Sequence, residues 1–288
     1  AVLYCGADVR FADVISPEDL TIDPQSIVEN ITPKTKAIIV MHYAGYPCRM
    51  PEIMQIANDH NLVVIEDAAH APGASLEDKA LGTWGDVGCF SFFSNKNLST
   101  GEGGMITTNR EDIAEKVKLQ RSHGMTSLTY DRHKGHAFSY DVVDLGYNYR
   151  IDEIRSALGI EQLMKLADNN AKRGEFTRKY WQGLASTSLG LPFSKAVQGV
   201  ASYHVFPVIL PETINRHGFM TGLRDAGIQT SIHYRPIHTF TYYENMYGKV
   251  SLPNTELVGQ REVTLPLYPT MGEVKVTIVV DQVKHLLA

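Results

Sequence analysis

A lysine at the end of an apolar strand offers the clearest chemistry in this sequence. Lys96 follows the apolar run over residues 88–93, and the glycine-rich stretch Gly101-Glu102-Gly103-Gly104 comes shortly after it. A lysine amine attacks carbonyl groups once burial and neighbouring groups lower its pKa. The position therefore predicts a Schiff-base lysine that later moves a proton between carbons. The alternative is a surface lysine in a hairpin turn.

An acidic residue at the end of a second apolar strand is the next candidate. Asp67 follows Val63-Val64-Ile65-Glu66 and precedes Ala68 and Ala69. Ligands bind at the carboxyl ends of the strands in an open α/β sheet, so Asp67 is expected to face a pocket. A carboxylate there can pair with a protonated ring nitrogen, as in pyridoxal phosphate enzymes. The alternative is a helix cap, for which Asp is also common.

Hydroxyl and amide side chains near these residues suit a phosphate group. Hydroxyls occur around the lysine at Ser91, Ser94, Ser99 and Thr100. Asn148 and Arg150, just before a predicted helix, add further donors of the kind that contact phosphates. For this second group the alternative is a capped helix with an aromatic staple. The chain has no Gly-x-x-x-x-Gly-Lys-Ser/Thr motif, so a nucleotide P-loop is not supported.

The elements that must position these residues alternate between apolar strands and helices. The pattern predicts strands over residues 9–14, 36–41, 62–65, 88–93 and 105–108, and helices over 51–60 and 110–121. Such alternation favours a mostly parallel α/β sheet. The last two of these strands are close in sequence and are predicted to pair antiparallel.

The second half of the chain reads as a further α/β unit. After a polar loop over residues 126–136, the pattern predicts helices over 151–184, 213–226 and 273–287, and strands over 203–210 and 228–234. We therefore expect a large domain over residues 1–165 and a smaller C-terminal α/β domain over residues 166–288.

Composition excludes several classes of function. The hydrophobic fraction of 43% and charged fraction of 20% are those of a soluble globular protein. The net charge of −5 comes without a basic stripe, so nucleic acid is not an expected partner. No apolar run reaches transmembrane length, so no membrane is expected either. The three cysteines and eleven histidines show no metal-ligand spacing, so no metal site is expected and the cytoplasm is the predicted location.

Several motifs, in order along the chain, resemble one known family. They are Glu66-Asp67-Ala68-Ala69-His70-Ala71, Phe90-Ser91-Phe92 through Lys96 to Gly104, Gly146-Tyr147-Asn148-Tyr149-Arg150, His233-Tyr234-Arg235-Pro236-Ile237-His238 and Leu265-Pro266-Leu267-Tyr268-Pro269. The chain is similar to the DegT/DnrJ/EryC1/StrS family of pyridoxal-phosphate sugar aminotransferases. This resemblance implies the aspartate-aminotransferase fold, type I, with a three-layer, mostly parallel large domain.

The resemblance also implies roles for individual residues. Lys96 resembles the Schiff-base lysine, Asp67 the partner of the pyridine nitrogen, and His70 the residue near the 3-hydroxyl of the cofactor. Ser91 resembles the phosphate-binding serine. Asn148 resembles an asparagine that reaches the cofactor phosphate in a neighbouring subunit, which implies a homodimer with shared active sites. His233, Tyr234 and His238 are candidate contacts to the sugar nucleotide, and a strand exit followed by Pro236 is the alternative explanation for them.

The reaction implied is amino transfer to a sugar. Glutamate or glutamine is the expected amino donor, and a keto sugar on a nucleotide is the expected acceptor. One alternative is a dehydratase, but relatives with that activity carry histidine in place of the lysine, so Lys96 argues against it. A second alternative is a non-catalytic regulatory protein of the same fold.

The first segment of the family pattern lies ahead of the part that this sequence resembles. Family members carry a segment ahead of the region that matches Val2-Leu3-Tyr4, and it includes a Gly-Thr-Ala helix start that binds the cofactor phosphate. Helix N-termini are good sites for such anions. We expect this phosphate-binding segment to lie outside the 288 residues and the large domain to be N-terminally incomplete.

Overall fold

A computed structural model describes residues 1–126, 139–195 and 198–288. The chain is an α/β structure, which confirms the predicted class. The polar loop predicted over residues 126–136 lies, apart from Thr126, outside the described residues.

The strands are short and lie mostly in the first half of the chain. They are β1 Val14–Ser16, β2 Asp19–Ile22, β3 Ala37–Met41, β4 Val63–Asp67, β5 Ser75–Leu76, β6 Lys79–Ala80, β7 Val87–Ser91, β8 Gly104–Thr107, β9 Phe206–Ile209 and β10 Glu262–Leu265.

The α-helices separate these strands and dominate the second half. They are α1 Pro24–Asn30, α2 Met50–Asp59, α3 Glu111–Gln120, α4 Glu153–Leu184, α5 Arg216–Asp225, α6 Thr241–Tyr247, α7 Pro253–Arg261 and α8 Glu273–Leu287. Asp23 caps α1, because its side chain accepts the Gln25 amide. Helix α4 is one continuous helix that begins at the cap Asp152 and runs through residue 165, so the division at residues 165/166 stays a prediction.

The central sheet has four strands in the order β3-β4-β7-β8. Strands β3, β4 and β7 run parallel, whereas β8 pairs antiparallel with β7, as the short connection between them predicts. Met41, Asp67 and Cys89 are aligned across the three parallel strands. The carboxyl ends of these strands therefore form one edge of the sheet.

The apolar core is divided among three clusters of buried side chains. One lies around the central sheet and includes Ile38, Val40, Met50, Ile53 and Val64. A second joins α4 to the C-terminal elements and includes Tyr180, Phe206, Leu223, Val263 and Val283. The third includes Tyr43, Tyr46, Phe193 and Ala201, and the rings of Tyr46 and Phe193 stack at 3.9 Å.

Two predicted strands are wrong, and polar contacts explain both. Asp13 caps the start of α7 by accepting the Asn254 and Thr255 amides, so residues 9–13 form no ladder and only Val14–Ser16 is a strand. In the predicted strand over residues 228–234, the His233 amide donates to the Glu262 side chain, and strand pairing is limited to the bridge between Ser231 and Thr264.

A buried polar pair joins β4 to the end of β3. His42 and Glu66 are fully buried, and His42 Nε2 lies 2.9 Å from Glu66 Oε2. The Cys48 amide donates to His42 Nδ1, so Nε2 carries the ring proton and donates it to the carboxylate. Glu66 also accepts the amides of Gly82 and Gly85, each at 2.7 Å. Burial raises the pKa of Glu66, but these hydrogen bonds outweigh it and hold the pKa below its usual value.

Replacing Glu66 with Ala should destabilise the fold by about 3 kcal/mol, because three buried donors lose their acceptor. The midpoint of urea unfolding measures this change. Glu115→Ala, which removes an exposed glutamate paired with Lys118, is the control and should change the free energy of unfolding by less than about 0.5 kcal/mol. Equal midpoints for the two variants would contradict the role given to Glu66.

Candidate active site

Asp67 is the last residue of β4 and lies at the carboxyl edge of the central sheet. Its Oδ1 accepts the Ala69 amide at 3.1 Å, which closes a local turn. Residues 68–74 form turns, and no helix starts there, so the helix-cap interpretation of Asp67 is wrong. The carboxylate remains at the strand end, where an open α/β sheet presents its ligand-binding groups.

Lys96 lies in the connection between β7 and β8, and its amine is half-buried. Its backbone amide donates to Phe93 O at 2.9 Å, which holds the turn. Burial lowers the pKa of the amine, and the nearby Asp67 carboxylate partly opposes that shift. Lys96 does lie in a hairpin connection, as the alternative interpretation predicted. Its side chain is not fully exposed to solvent, however, so it is not an ordinary surface lysine. A lowered pKa increases the fraction of the nucleophilic free amine.

His70 is buried in the turn that follows Asp67. Its Nε2 lies 3.0 Å from the Tyr234 hydroxyl. Its Nδ1 is also buried and has no hydrogen-bond partner among the described residues. Burial, reinforced by Lys96 and His233, lowers the pKa of His70 to about 3, so the ring is neutral near pH 7. A neutral imidazole with one unused nitrogen can bind a polar ligand atom.

A segment from the second half of the chain completes this group. The Tyr43 hydroxyl donates to His233 O, and the His233 amide donates to Glu262 Oε2 at 2.8 Å. Burial lowers the pKa of His233, and Lys96 adds to the effect. Burial, with Asp67 and Glu262, raises the pKa of Tyr234 to about 12. His233 and Tyr234 therefore lie within electrostatic range of Lys96 and Asp67.

The other predicted site residues lie outside this group. His238 is buried, with its Nε2 3.3 Å from Glu256 Oε1 and its ring 6.2 Å from Phe11. None of its contacts within the described residues reaches Lys96. Ser91 ends β7 and accepts the Phe93 amide at 3.3 Å, so it lies on the strand that leads to Lys96.

Asn148 is exposed and forms a backbone bridge with Ser122. The rings of Tyr147 and Tyr149 stack on each other at 4.9 Å beside it. The structure does not bring Asn148 into contact with Lys96, Asp67 or His70 within the described residues. The alternative of a capped helix holds for the following segment, since Asp152 accepts the Arg155 amide at 2.8 Å.

Two buried polar residues that contact His70 or His233 were not predicted from the sequence. His204 is buried, and its ring lies 4.2 Å from that of His70. Glu262 is buried in β10, and burial raises its pKa to about 7 against the hydrogen bonds from Thr264 and His233. The sequence does contain a signal that could have identified Glu262. The strand Glu262-Val263-Thr264-Leu265 is otherwise largely apolar, and an acid is rare in a buried strand unless it has a partner.

Two further classes of site are not found. Across residues 1–126, 139–195 and 198–288, no group of three or more His, Cys, Asp or Glu is arranged to hold a metal ion. Among the same residues, no helix combines the length and the apolar character needed to cross a membrane.

Comparison with known proteins identifies the family. The profile of the DegT/DnrJ/EryC1/StrS aminotransferase family matches residues 1–284. The chain belongs to this family. The resemblance predicted from the motifs is therefore confirmed over almost the whole chain.

Individual relatives of the DegT/DnrJ/EryC1/StrS family agree with this assignment. The uncharacterized protein MJ1066 of Methanocaldococcus jannaschii is 38% identical over 299 residues, which cover 100% of this chain and 76% of that protein. The spore coat polysaccharide biosynthesis protein SpsC of Bacillus subtilis is 34% identical, over 99% of this chain and 75% of its own length.

A solved structure confirms the fold. PseC of Helicobacter pylori, an aminotransferase involved in the biosynthesis of pseudoaminic acid, superimposes with a TM-score of 0.92. It is 27% identical, and the match covers 99% of this chain and 75% of PseC. The predicted pyridoxal phosphate transferase fold is therefore confirmed.

The cofactor predicted from the sequence, pyridoxal phosphate, is that of the DegT/DnrJ/EryC1/StrS aminotransferases. The residues of this chain fit it. A half-buried lysine with a lowered pKa suits an aldehyde, and a carboxylate at a strand end suits a ring nitrogen. The unpartnered, buried Nδ1 of His70 leaves one polar atom for a ligand group.

Glu262 predicts a measurable pH dependence of stability. Its pKa is about 7 in the folded chain and near 4.5 in an unfolded one, so the folded state holds the extra proton between these values. The stabilisation is complete below about pH 4.5 and is lost as the pH rises through 7. Glu262→Gln should reduce this loss, by on the order of 3 kcal/mol.

Urea unfolding between pH 4.5 and pH 8 measures the effect of Glu262. The control is Glu212→Gln, which changes an exposed glutamate paired with Arg261. Its stability should follow the wild-type pH dependence. Parallel curves for the wild type and Glu262→Gln would show that Glu262 does not titrate in this range.

Proposed function

We propose that this protein transfers an amino group from an amino acid, glutamate or glutamine, to a keto sugar carried on a nucleotide. Its membership of a sugar aminotransferase family supports the reaction class. The observation that carries the proposal is the half-buried Lys96 amine, with its lowered pKa, within electrostatic range of Asp67. The amino acid and the nucleotide come from the family resemblance of the motifs.

Lys96 is proposed to hold the cofactor and then to move a proton. Bound pyridoxal phosphate supplies an electron sink, which stabilises negative charge on the carbon that loses a proton. The Lys96 amine would take a proton from the donor carbon in the first half of the reaction and would give a proton to the sugar carbon in the second, so it must gain and lose a proton in each half. Its lowered pKa makes both directions accessible.

Asp67 and His70 are proposed to bind two different polar groups of the cofactor ring. The Asp67 carboxylate, at the end of β4, would stabilise a positive charge on the ring nitrogen. His70, neutral and with one free nitrogen, is proposed to bind the 3-hydroxyl. The Tyr234 hydroxyl, 3.0 Å from His70 Nε2, orients that ring.

Ser91 and Asn148 are proposed to bind the cofactor phosphate. Ser91 is on the same strand that leads to Lys96, so it supports the site from within one subunit. Asn148 is exposed and away from Lys96, and we propose that it acts on the active site of a second subunit. His233, Tyr234 and His238 are proposed substrate contacts, of which His233 and Tyr234 lie near Lys96.

A homodimer is part of this proposal. The first half of α4 exposes Ile154 at 84%, Ile160 at 63%, Leu163 at 60% and Met164 at 66%. Exposed apolar side chains in such density mark a protein contact. Leu145, 76% exposed, continues the surface toward Asn148. A second copy seated on this face would bring its own Asn148 segment close to the first, as shared active sites require.

The alternatives make different predictions. A dehydratase would carry histidine at the lysine position, and this chain has Lys96. A non-catalytic protein of the same fold would not need a reactive amine with a lowered pKa. The cytoplasmic location in our proposal is supported by Cys5, Cys48 and Cys89, which are all free thiols.

Lys96→Ala should reduce amino transfer from glutamate to a 4-keto sugar nucleotide by at least about 100-fold, because both the covalent anchor and the proton carrier are lost. Borohydride reduction of the loaded wild type should trap the cofactor on the peptide that contains Lys96, as measured by mass spectrometry. Lys34→Ala, which removes an exposed lysine, is the control for both measurements. Undiminished turnover in Lys96→Ala would refute the proposal.

Ile154→Asp should convert the dimer to a monomer at micromolar concentration, because a charge would be buried in an apolar contact. Sedimentation velocity measures the mass of each species. Lys172→Asp, on an exposed polar position of the same helix, should remain dimeric. A monomeric wild type, or a dimeric Ile154→Asp variant, would contradict the proposed interface.

A further inference from the structure

The residue after Lys96 is a buried asparagine whose side chain is fully engaged. Asn97 is 7% exposed. Its Nδ2 donates to Ser202 O at 2.7 Å and to Asn170 Oδ1 at 2.9 Å. Its Oδ1 lies 2.9 Å from His204 Nδ1. The preceding Lys96 is half-buried, so the polypeptide enters the protein interior between these two residues.

The direction of each hydrogen bond follows from the partners. Ser202 O is a carbonyl and can only accept, so the amide nitrogen of Asn97 faces it and Oδ1 faces His204. His204 must then donate from Nδ1. Burial, with the neighbouring His70 and Lys96, lowers the pKa of His204, so the ring carries one proton and that proton lies on Nδ1.

Ser202 and His204 connect Asn97 to His70. The Ser202 hydroxyl donates to His70 O at 2.6 Å, and the ring of His204 lies 4.2 Å from that of His70. The approach of Ser202 needs a glycine at position 45, because a Cβ there would lie 2.0 Å from the Ser202 hydroxyl. One side chain therefore links the connection that carries Lys96 to the turn that carries His70.

Asn170 connects Asn97 to α4 and to the same turn. Its side chain accepts from Asn97 and donates to Pro72 O at 2.9 Å. A glycine is again needed nearby, since a Cβ at Gly73 would lie 2.9 Å from Asn170 Nδ2. The three hydrogen bonds of Asn97 thus join the connection that carries Lys96 to α4 and to the segment with Ser202 and His204, all through buried partners.

We propose that Asn97 is a positioning residue that holds the Lys96 amine half-buried, beside Asp67 and His70. Without these hydrogen bonds, the connection between β7 and β8 keeps backbone contacts near the lysine, such as Lys96 N to Phe93 O, and the buried side chain of Leu98, but it loses the three side-chain hydrogen bonds of Asn97. The amine would then move toward solvent. The charged and titratable groups within electrostatic range of it are Asp67 from β4, His70 from the next turn, and His204 and His233 from the second half of the chain.

The use of this amine in catalysis rests on the proposed function, but its position does not. The test is therefore made on the cofactor-free protein. The rate of acetylation of Lys96 by acetic anhydride is measured from pH 6 to pH 11, with quantification of the Lys96 peptide by mass spectrometry. The midpoint of the profile reports the pKa of the amine, whatever reaction the enzyme catalyses.

Asn97→Ala should move this midpoint upward by at least about half a pH unit, a roughly threefold change in the free-amine fraction. Burial is what lowers the pKa of Lys96, and the variant would expose the amine. Asn97→Asp keeps the size but cannot donate to Ser202 O and adds a negative charge, so its midpoint should rise further. The matched controls are Asn95→Ala and Asn95→Asp, at an exposed asparagine on the other side of Lys96.

Asn170→Ala is a milder variant, because it removes only one of the three contacts and places a good helix former in α4. Its midpoint should move in the same direction by a smaller amount, while its cooperative thermal unfolding is retained. Unchanged midpoints in folded Asn97→Ala and Asn170→Ala would overturn the proposal, as would equal shifts in the Asn95 controls. Full turnover in Lys96→Ala would refute the proposed reaction and leave this measurement unaffected.

Discussion

The carboxylate of Glu66 is buried at the end of β4 and accepts hydrogen bonds from His42, Gly82 and Gly85. Because successive side chains in a strand point to opposite faces, this inward position turns the next residue, Asp67, the other way. The amides of Gly82 and Gly85 also fasten the chain that leads into β7, the strand before Lys96. The placement of both Asp67 and Lys96 therefore depends on one buried acid that takes no part in the chemistry.

Burial determines which of the groups around the Lys96 amine carry a charge. Burial lowers the pKa of Lys96, and Asp67 opposes that shift by stabilising the protonated amine. Burial keeps His70 and His204 neutral, so these rings bring hydrogen-bonding groups to the site without adding cations. A partly buried lysine amine beside a single carboxylate can both gain and lose a proton. An exposed lysine with the same neighbours would lose its proton less readily.

The sequence predicts the parts of the structure that local patterns control. The strands β3, β4, β7 and β8 and the helices α2, α3 and α8 follow from the pattern of apolar residues. Lys96, Asp67 and His70 lie next to these strands in the sequence. The strand predicted over residues 9–14 is wrong for residues 9–13, because Asp13 bonds to α7, more than 200 positions away in the chain. Asn97 and His204 are 107 positions apart, and only the tertiary fold brings them together.

Helix α4 spans 32 residues, about 48 Å at 1.5 Å per residue. Near its start, α4 packs closely against the connection that carries Lys96. A Cβ atom added at Gly159 would lie only 3.2 Å from the Thr100 side chain. Further along, Asn170 binds Asn97, and Tyr180 lies in the C-terminal core. An inserted residue would turn every later side chain by about 100° and break these contacts together. Divergence along this helix should therefore proceed by exchange of residues at constant length, while insertions collect in the surface connections.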